Sequence, residues 1–196
     1  AYLIMADKIT LVDTVKAPFR DELVGRISSV VNPRDIQLIV SNHSEMDHSG
    51  CLPEMIRMIA PEQVVASPMG AKTLGKIFPA GLNIKAVKDG EKLSLGNMNL
   101  QFMETRMLHW PDSMFSYLPE EEILFSQDAF GMHLATAERF DDEIDPAVLA
   151  YEGATYFANI ILPYAPLVTK LLARVAAAGI NCKYIAPDHG PIWRRD

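Results

Sequence analysis

The sequence predicts an α+β sandwich in which two mixed β-sheets face each other and helices lie outside. Three observations predict this fold class. Short β-branched apolar runs recur along the chain, helical apolar patterns stand between several of them, and turns rich in Gly, Pro or Asn separate them. With 196 residues, of which 49% are hydrophobic and 22% charged, the chain can form the core of one globular domain spanning residues 1–196.

The first half of the chain alternates strand and helix patterns. Residues 1–5 and 8–12 flank Ala6-Asp7 as a hairpin, and Asn32-Pro33 ends the first helix because the residue before a proline disfavours helical backbone. The elements predicted after the hairpin are, in order, helix 19–29, strand 36–40, helix 52–60, strand 63–66 and helix 68–78.

The second half begins with successive strands between residues 83 and 104, turned at Asp89-Gly90 and Gly96-Asn97. A hairpin with strands 114–118 and 123–126 surrounds an acidic turn at residues 120–122. The remaining predicted elements are helices over about 146–162 and 166–178, the latter capped by Gly179, and a strand at 183–186.

Residues that can bind metal ions follow four of these strands. The segment His43-Ser44-Glu45-Met46-Asp47-His48 leaves strand 36–40 into the next loop, and a His or Asp follows three later strands. In α/β folds, bound molecules and ions usually lie at the carboxyl ends of the strands. An imidazole next to carboxylates is a combination of side chains that binds metal ions. The sequence therefore predicts a metal site with the ligands His43, Glu45, Asp47, His109, Asp128 and His189.

This spaced set of ligands resembles that of the metallo-β-lactamase superfamily, and the resemblance runs along essentially the whole chain. Most hydrolytic members carry a His where this sequence has Glu45. That Glu, with His109-Trp110 and the run Glu138-Arg139-Phe140-Asp141-Asp142-Glu143, is similar to the flavodiiron branch of the superfamily. The resemblance implies a metallo-β-lactamase-like αβ/βα sandwich with a diiron site.

The resemblance also implies how the ligands divide between two irons. His43, Glu45 and His109 would hold one iron, Asp47 and His189 would hold the second, and Asp128 would bridge them. His48 matches a position that binds metal in some members and turns away in others. The resemblance thus gives His48 a part in catalysis, either as a labile ligand or as a residue beside the ligands.

The chemistry of Glu45 supports iron independently of the resemblance. Three His and three carboxylates form an oxygen-rich donor set that suits iron or manganese, whereas zinc sites favour nitrogen and sulfur. Two ferrous ions, three carboxylates and one bridging hydroxide are together neutral, whereas a neutral His at position 45 would leave a net positive charge. The additional negative ligand favours the ferric state and therefore a site that gives electrons away.

Electron counting constrains the predicted reaction. A diferrous pair releases two electrons, enough to couple two NO molecules into N2O, while reduction of O2 to water takes four. The resemblance implies that FMN on a flavodoxin-like domain supplies the electrons and that homodimers bring this flavin to the iron of the partner subunit. We expect this domain and one or more early strands to lie outside residues 1–196, because the sequence opens without Met inside a strand pattern and stops seven residues after His189.

Three alternatives remain open at this point. The electron donor could be a separate flavoprotein or a rubredoxin-type protein instead of a fused domain. The chain could be a binuclear zinc hydrolase, in which a metal-bound hydroxide attacks a thioester, lactam or phosphodiester, although Glu45 counts against it. It could also be a redox-inert sensor that uses its metals to detect NO.

Composition narrows the partners. A net charge of −7 argues against nucleic acid as a partner. No uninterrupted apolar run reaches the roughly 20 residues that cross a membrane. We therefore expect a protein that binds neither nucleic acid nor a membrane and is located in the cytoplasm. Cys51 and Cys182 form no CxxC motif, which excludes a rubredoxin-like or iron–sulfur motif. Residues 70–77 nearly spell a phosphate-binding loop, but Ile77 replaces the required hydroxyl and the apolar spacing favours a helix.

Five further residues invite a role beside the metals. His133 could contact a ligand, line the pocket or be structural. The aromatic residues that could form an apolar pocket for a small gas are Trp110, Tyr156, Phe157 and Tyr164.

Overall fold

The computed structural model describes residues 1–78 and 81–194, and within them two five-stranded mixed sheets. In the first sheet the hairpin strands are antiparallel and the three following pairs are parallel. Its strands, in order across the sheet, are β1 (Tyr2–Ile4), β2 (Thr10–Val12), β3 (Leu38–Ser41), β4 (Gln63–Ala66) and β5 (Ile84–Ala86).

The second sheet is antiparallel except for its last pair, in which β9 and β10 run parallel. Its strands are β6 (Lys92–Ser94), β7 (Asn99–Glu104), β8 (Met114–Leu118), β9 (Ile123–Gln127) and β10 (Tyr184–Pro187), in the order β10-β9-β8-β7-β6. The predicted hairpin of β8 and β9 is confirmed.

Six α-helices connect these strands in the part of the chain that the structure describes. They are α1 (Arg20–Ser28), α2 (Met46–Ser49), α3 (Leu52–Ile59), α4 (Pro68–Ile77), α5 (Pro146–Tyr156) and α6 (Ala165–Ala177). Gly179, in the left-handed region with φ +64°, follows the end of α6, as predicted. Its N–H donates to Ala176 O, and that of Ile180 donates to Val175 O, which satisfies two carbonyls at the helix end.

Three apolar clusters define four layers. One fills the space between the sheets, with Val40 and Phe102 fully buried at its centre. A second packs α1, α3 and α4 on the outer face of the first sheet, and a third packs α5 and α6 on the outer face of the second. The predicted αβ/βα sandwich is therefore confirmed.

Three local features differ from the predictions. The segment 89–90 is not a hairpin turn, because β5 and β6 belong to different sheets. Gly90 N–H instead donates to Phe102 O at 2.8 Å, so this segment crosses from one sheet to the other beside β7. The predicted loop after β3 contains the short helix α2, and π and 3-10 turns (Phe157–Ile161 and Leu162–Tyr164) join α5 to α6.

Residues 146–177 consequently form one helical stretch of 32 residues, with a mean hydropathy of 1.5 in its most apolar part. Its length and composition would suffice to cross a membrane, contrary to the expectation that no segment is long and apolar enough. In the sequence, Pro163 and Pro166 suggest that one helix ends and another begins. In the structure both prolines stand at the start of a helical turn, so the helical stretch continues. Leu149, Tyr156, Ile161 and Leu171 are buried against the second sheet, so the stretch is a helix layer of the domain.

The sandwich brings the carboxyl ends of β3, β7, β9 and β10 to one edge. Asn42, just after β3, joins the two sheets there. Its carbonyl accepts from Met114 N at 3.0 Å, and its side-chain oxygen accepts from the Ser116 hydroxyl at 2.6 Å. Loops leaving both sheets are thereby held side by side at this edge.

Candidate metal centre

All six predicted ligands and His48 meet at this edge of the sandwich. They form two adjacent groups, and within each group the atoms that could bind metal lie within 4.8 Å of one another. The first group is His43, Glu45, His109 and Asp128, and the second is Asp47, His48 and His189.

The first group combines side chains from both sheets. His43 Nε2 lies 3.2 Å from Glu45 Oε2 and 3.2 Å from Asp128 Oδ2. His109 Nε2, which arrives from the loop after β7, lies 2.9 Å from the same Asp128 oxygen and 3.4 Å from Glu45 Oε2. Two imidazoles and two carboxylates thus surround one point.

The second group surrounds a neighbouring point. Asp47 Oδ1 lies 3.4 Å from His48 Nε2, and Asp47 Oδ2 lies 3.3 Å from His189 Nε2. Asp128 Oδ1 lies 2.8 Å from His48 Nε2 and 3.3 Å from His189 Nε2. Asp128 therefore directs one carboxylate oxygen to each group, which is the geometry of a bridging ligand.

Local backbone geometry aims these side chains. Glu45 is extended and immediately precedes α2, so Asp47 and His48 leave the first turns of that helix into the second group. Gln127 and Phe130 have positive φ angles of 49° and 64°, which turn the chain sharply on both sides of Asp128. Non-glycine residues seldom adopt this conformation, and such strain is concentrated at functional sites.

A glycine allows two ligand loops to meet. A Cβ atom on Gly131 would lie 2.9 Å from Asp128 O and 3.0 Å from His189 O, closer than backbone atoms tolerate. Gly131 therefore lets the loop after β9 approach the loop after β10. This close approach brings Asp128 and His189 into one site.

Two buried carboxylates that were not predicted as site residues lie behind the histidines. Asp112 Oδ2 is 3.3 Å from His43 Nδ1 and accepts from Ser44 N at 2.7 Å. Asp188 Oδ2 is 3.3 Å from His48 Nδ1. Their positions in the sequence gave one signal, since Asp112 shares the loop of His109 and Asp188 directly precedes His189.

Asp188 also belongs to a buried polar group below the site. Its Oδ1 accepts from the backbone nitrogen of Ala1 at 3.1 Å. Asp13 accepts from Asn42 N at 2.7 Å through one oxygen, while its other oxygen has no hydrogen-bond partner. Burial and the nearby negative charge of Asp188 raise the pKa of Asp13 well above its ordinary value.

The electrostatics of the site favour charged imidazoles in the metal-free protein. Burial disfavours the charged form of His43, but hydrogen bonds to Asp112, Asp128 and Glu45 outweigh it and raise its pKa to about 12. Burial also disfavours the charged form of His48, but Asp128 and Asp188 outweigh it and raise its pKa to about 10. Asp128 and Asp47 raise the pKa of His189 to about 9.

The surrounding histidines act oppositely on Asp128. Burial alone would raise its pKa, yet the close imidazoles of four histidines, with His109 contributing most, hold the pKa far below its ordinary value. The carboxylate therefore stays ionised throughout the physiological range, as a metal ligand requires.

These residues fit a pair of metal ions. Asp47 Oδ1, His48 Nε2 and Asp128 Oδ1 are buried and have no hydrogen-bond partner in the structure. Buried polar atoms are seldom left unpaired, and coordination would satisfy all three. Imidazole nitrogens with carboxylate oxygens form a donor set suited to iron or manganese.

Aromatic residues flank the site unequally. The Trp110 ring stands edge-on to the His43 ring, with centroids 5.3 Å apart. The Tyr156 ring is buried and contacts the ring of His133 at 4.8 Å, and His133, itself exposed, is 5.6 Å from His189. His133 therefore lies at the mouth of the site.

The other aromatic and sequence candidates lie elsewhere. Phe157 is partly exposed and Tyr164 packs in the outer cluster of the second sheet, whereas Trp110 and Tyr156 contact the histidine rings of His43 and His133. Residues 70–77 lie within α4, which confirms their helical interpretation. Cys51 is buried in the outer cluster of the first sheet, and both cysteines are free.

The chain is similar in sequence to a known protein family and to several curated proteins. Residues 1–190 match the family model described as "ODP family beta lactamase". The nitric oxide reductase of Moorella thermoacetica is 42% identical, over 100% of this chain and 49% of its own length. The rubredoxin-oxygen oxidoreductase of Megalodesulfovibrio gigas is 44% identical, over 99% and 48%. An anaerobic nitric oxide reductase flavorubredoxin of Aeromonas salmonicida is 37% identical, over 100% and 38%.

Solved structures show the same fold. The rubredoxin oxygen:oxidoreductase of Desulfovibrio gigas has a TM-score of 0.97 at 44% identity, covering 99% of this chain and 49% of that one. The flavodiiron protein of Giardia intestinalis has a TM-score of 0.94 at 34% identity, covering 100% and 47%. The chain spans about half the length of these relatives or less.

Proposed function

Since this chain belongs to the ODP family and is the metallo-β-lactamase-like domain of a flavodiiron protein, we propose that it carries a diiron site that reduces NO to N2O, O2 to water, or both. The single observation that carries the proposal is the division of the Asp128 carboxylate between two ligand groups. Such a bridge suits a pair of metals acting together more than two independent sites.

We assign the ligands by their positions. His43, Glu45 and His109 would hold the first iron, Asp47 and His189 would hold the second, and Asp128 would bridge them. We add His48 to the ligands proposed for the second iron, because its Nε2 atom lies among the possible metal-binding atoms of that group. When bound, the irons would supply the electrons for reduction, and the chain's ligand groups would hold them side by side.

The chain's own residues shape the surroundings of the substrate. His43 and Asp128 are each 1% exposed, so the inner side of the site is closed to bulk water. Burial and the charges of Asp128, Glu45 and Asp47 raise the pKa of Tyr156, so its hydroxyl stays protonated. The Tyr156 hydroxyl is therefore a neutral O–H donor close enough to these carboxylates to feel their charge, and we propose that it donates to a small polar ligand at the site.

We propose a flavin-carrying domain as the electron donor, with FMN as its cofactor and a homodimer as the assembly. The relatives are about twice as long as this chain, and the names of two of them contain the prefix "flavo". Large apolar side chains next to the ligands support a docking face, since Met46, Met107 and Phe130 are 46%, 38% and 42% exposed. A separate flavoprotein or rubredoxin-type donor would use the same face. A cytoplasmic location stays a prediction, which cell fractionation tests.

The test is rapid mixing of the anaerobically purified, reduced protein with NO or O2. We expect about two irons per chain and repeated turnover to N2O or water when a reduced flavodoxin-type donor is supplied. A zinc-loaded protein that hydrolyses thioesters would replace the proposal with the hydrolase. Binding of NO without turnover, with the donor present, would replace it with the sensor.

A further inference from the structure

Asp112 connects the two loops that supply histidines to the first metal. It lies three residues after His109 in the loop between β7 and β8, and its carboxylate reaches the loop after β3. There the oxygen Oδ2 accepts from Ser44 N at 2.7 Å and lies 3.3 Å from His43 Nδ1. One oxygen atom of Asp112 therefore contacts both the backbone of Ser44 and the imidazole of His43, in the loop that leaves the other sheet.

The backbone of Asp112 is fixed independently. Its carbonyl accepts from the Ser67 hydroxyl at 2.7 Å, and Ser67 in turn caps α4 by accepting from Gly70 N at 2.9 Å. Asp112 is only 1% exposed. The carboxylate therefore cannot turn away from His43 without breaking buried hydrogen bonds.

This arrangement affects which nitrogen of His43 faces the metal. A carboxylate beside Nδ1 favours the proton on Nδ1, which leaves the Nε2 lone pair free and directed at Glu45 and Asp128. The negative charge also increases electron donation by the imidazole, and a stronger donor stabilises the ferric over the ferrous state.

On the basis of the proposed function, we infer that Asp112 is the positioning residue of the first metal: it fixes His43 in its ligating tautomer and lowers the reduction potential of the iron that His43 binds. It acts through His43 and touches neither substrate nor metal. Because Oδ1 has no partner, only the oxygen that serves His43 and Ser44 carries the effect.

The test is Asp112→Asn, measured beside Asp141→Asn as a matched control. The amide oxygen of Asn can still accept from Ser44 N and His43 Nδ1, so the substitution removes the charge with little change of shape. Asp141 is equally buried and accepts from Arg194 N at 2.8 Å, away from the metal ligands. Asp112→Ser, which removes the charge without adding bulk, is measured in parallel in case the amide perturbs folding.

The readouts are iron affinity in a chelator competition and the midpoint potential in an anaerobic redox titration. We expect Asp112→Asn to weaken binding of one of the two irons by roughly 10- to 100-fold, as for other residues that orient metal ligands. We also expect the midpoint potential to rise by about 59 mV, because the substitution removes the charge that stabilises ferric iron. For a one-electron couple this lowers the ferric-to-ferrous ratio at fixed potential about tenfold. Asp112→Ser should shift both in the same direction, and Asp141→Asn should shift neither.

Wild-type affinity and potential in both Asp112 variants would overturn the inference and leave Asp112 as a backbone anchor for Ser44. Equal changes in Asp112→Asn and Asp141→Asn would overturn it as well, because a general loss of core stability would then explain them. Failure of the proposed function is distinguishable, since the wild-type protein itself would then lack a redox-active diiron site.

Discussion

The Nε2 atom of His48 lies 2.8 Å from Oδ1 of Asp128, so the imidazole is turned into the site. The angle at this contact does not suit a hydrogen bond, and both atoms are buried without another partner. Two donor atoms held together without bonding each other are arranged for a shared metal ion. Asp188, on the other side of the ring, supports this orientation at 3.3 Å.

Replacing His48 should therefore remove a ligand from the second metal. In His48→Asn we expect the affinity of the protein for one of its two irons to fall. The fall should exceed the roughly 10- to 100-fold that follows the loss of a residue that only hydrogen-bonds to a metal ligand. Chelator competition on the ferrous protein measures it. His133→Asn is the matched control, because His133 is exposed and belongs to neither ligand group. Equal iron affinity in His48→Asn and wild type would exclude His48 as a ligand.

Glu45→His should shift the metal preference of the first group from iron towards zinc. The substitution replaces a carboxylate beside His43 and His109 with a third imidazole, and nitrogen-rich sites favour zinc. Competition between equimolar ferrous iron and zinc, followed by metal analysis, measures the shift. Glu54→His, in the first turn of α3, is the control. An unchanged iron-to-zinc ratio would show that Glu45 does not determine metal choice.

Metal binding should release protons and strengthen as pH rises. The pKa values of about 12, 10 and 9 for His43, His48 and His189 mean that each imidazole of the metal-free protein carries an additional proton at pH 7. A metal must displace these protons. Calorimetric titration with Mn²⁺, a redox-stable probe, in two buffers of different ionisation enthalpy counts them. Binding that releases none would contradict the assigned charge states.

The same shifts predict how pH affects the metal-free protein. A histidine with a raised pKa stabilises the fold fully below the unfolded value of about 6.5, and this contribution is lost as pH rises to the folded value. Metal-free protein should thus lose stability between about pH 6.5 and pH 9, the pKa of His189. Urea unfolding at several pH values measures this. Metal-free protein that grows more stable over this interval would contradict the sign.

Gly131→Ala should disturb the approach of the two ligand loops. The new Cβ atom would lie 2.9 Å from Asp128 O and 3.0 Å from His189 O, and we expect a cost of about 1–3 kcal/mol in unfolding free energy, with weaker iron binding. Gly75→Ala is the control, since nothing lies within 4 Å of a Cβ there and α4 should gain about 0.5–1 kcal/mol. Similar effects of the two substitutions would contradict the assigned role of Gly131.

The strands and the ligand loops could be predicted from the sequence because each depends on a local pattern. Short apolar runs marked β3 and β9, and a His or Asp after each strand marked the ligands. The assignment of strands to sheets could not be predicted locally. β5 and β6 resemble a hairpin in the sequence, but they belong to different sheets, which only the pairing of β6 with β7 decides.

Residues that act on the ligands were harder to recognise. Asp112 and His43 are 69 positions apart, and their contact exists only once both sheets are in place. The side of His48 that faces the metals likewise depends on Asp188, which is distant in the sequence. The helical stretch from α5 to α6 was underestimated, because prolines that begin new turns without ending the helix divide it only in the sequence.

The most direct test is the Mössbauer spectrum of protein that is loaded anaerobically with ⁵⁷Fe and then oxidised. Because Asp128 directs one oxygen to each ligand group, the account predicts two irons per chain in a spin-coupled ferric pair with a diamagnetic ground state. Magnetically isolated ferric ions, or one iron per chain at full saturation, would contradict it.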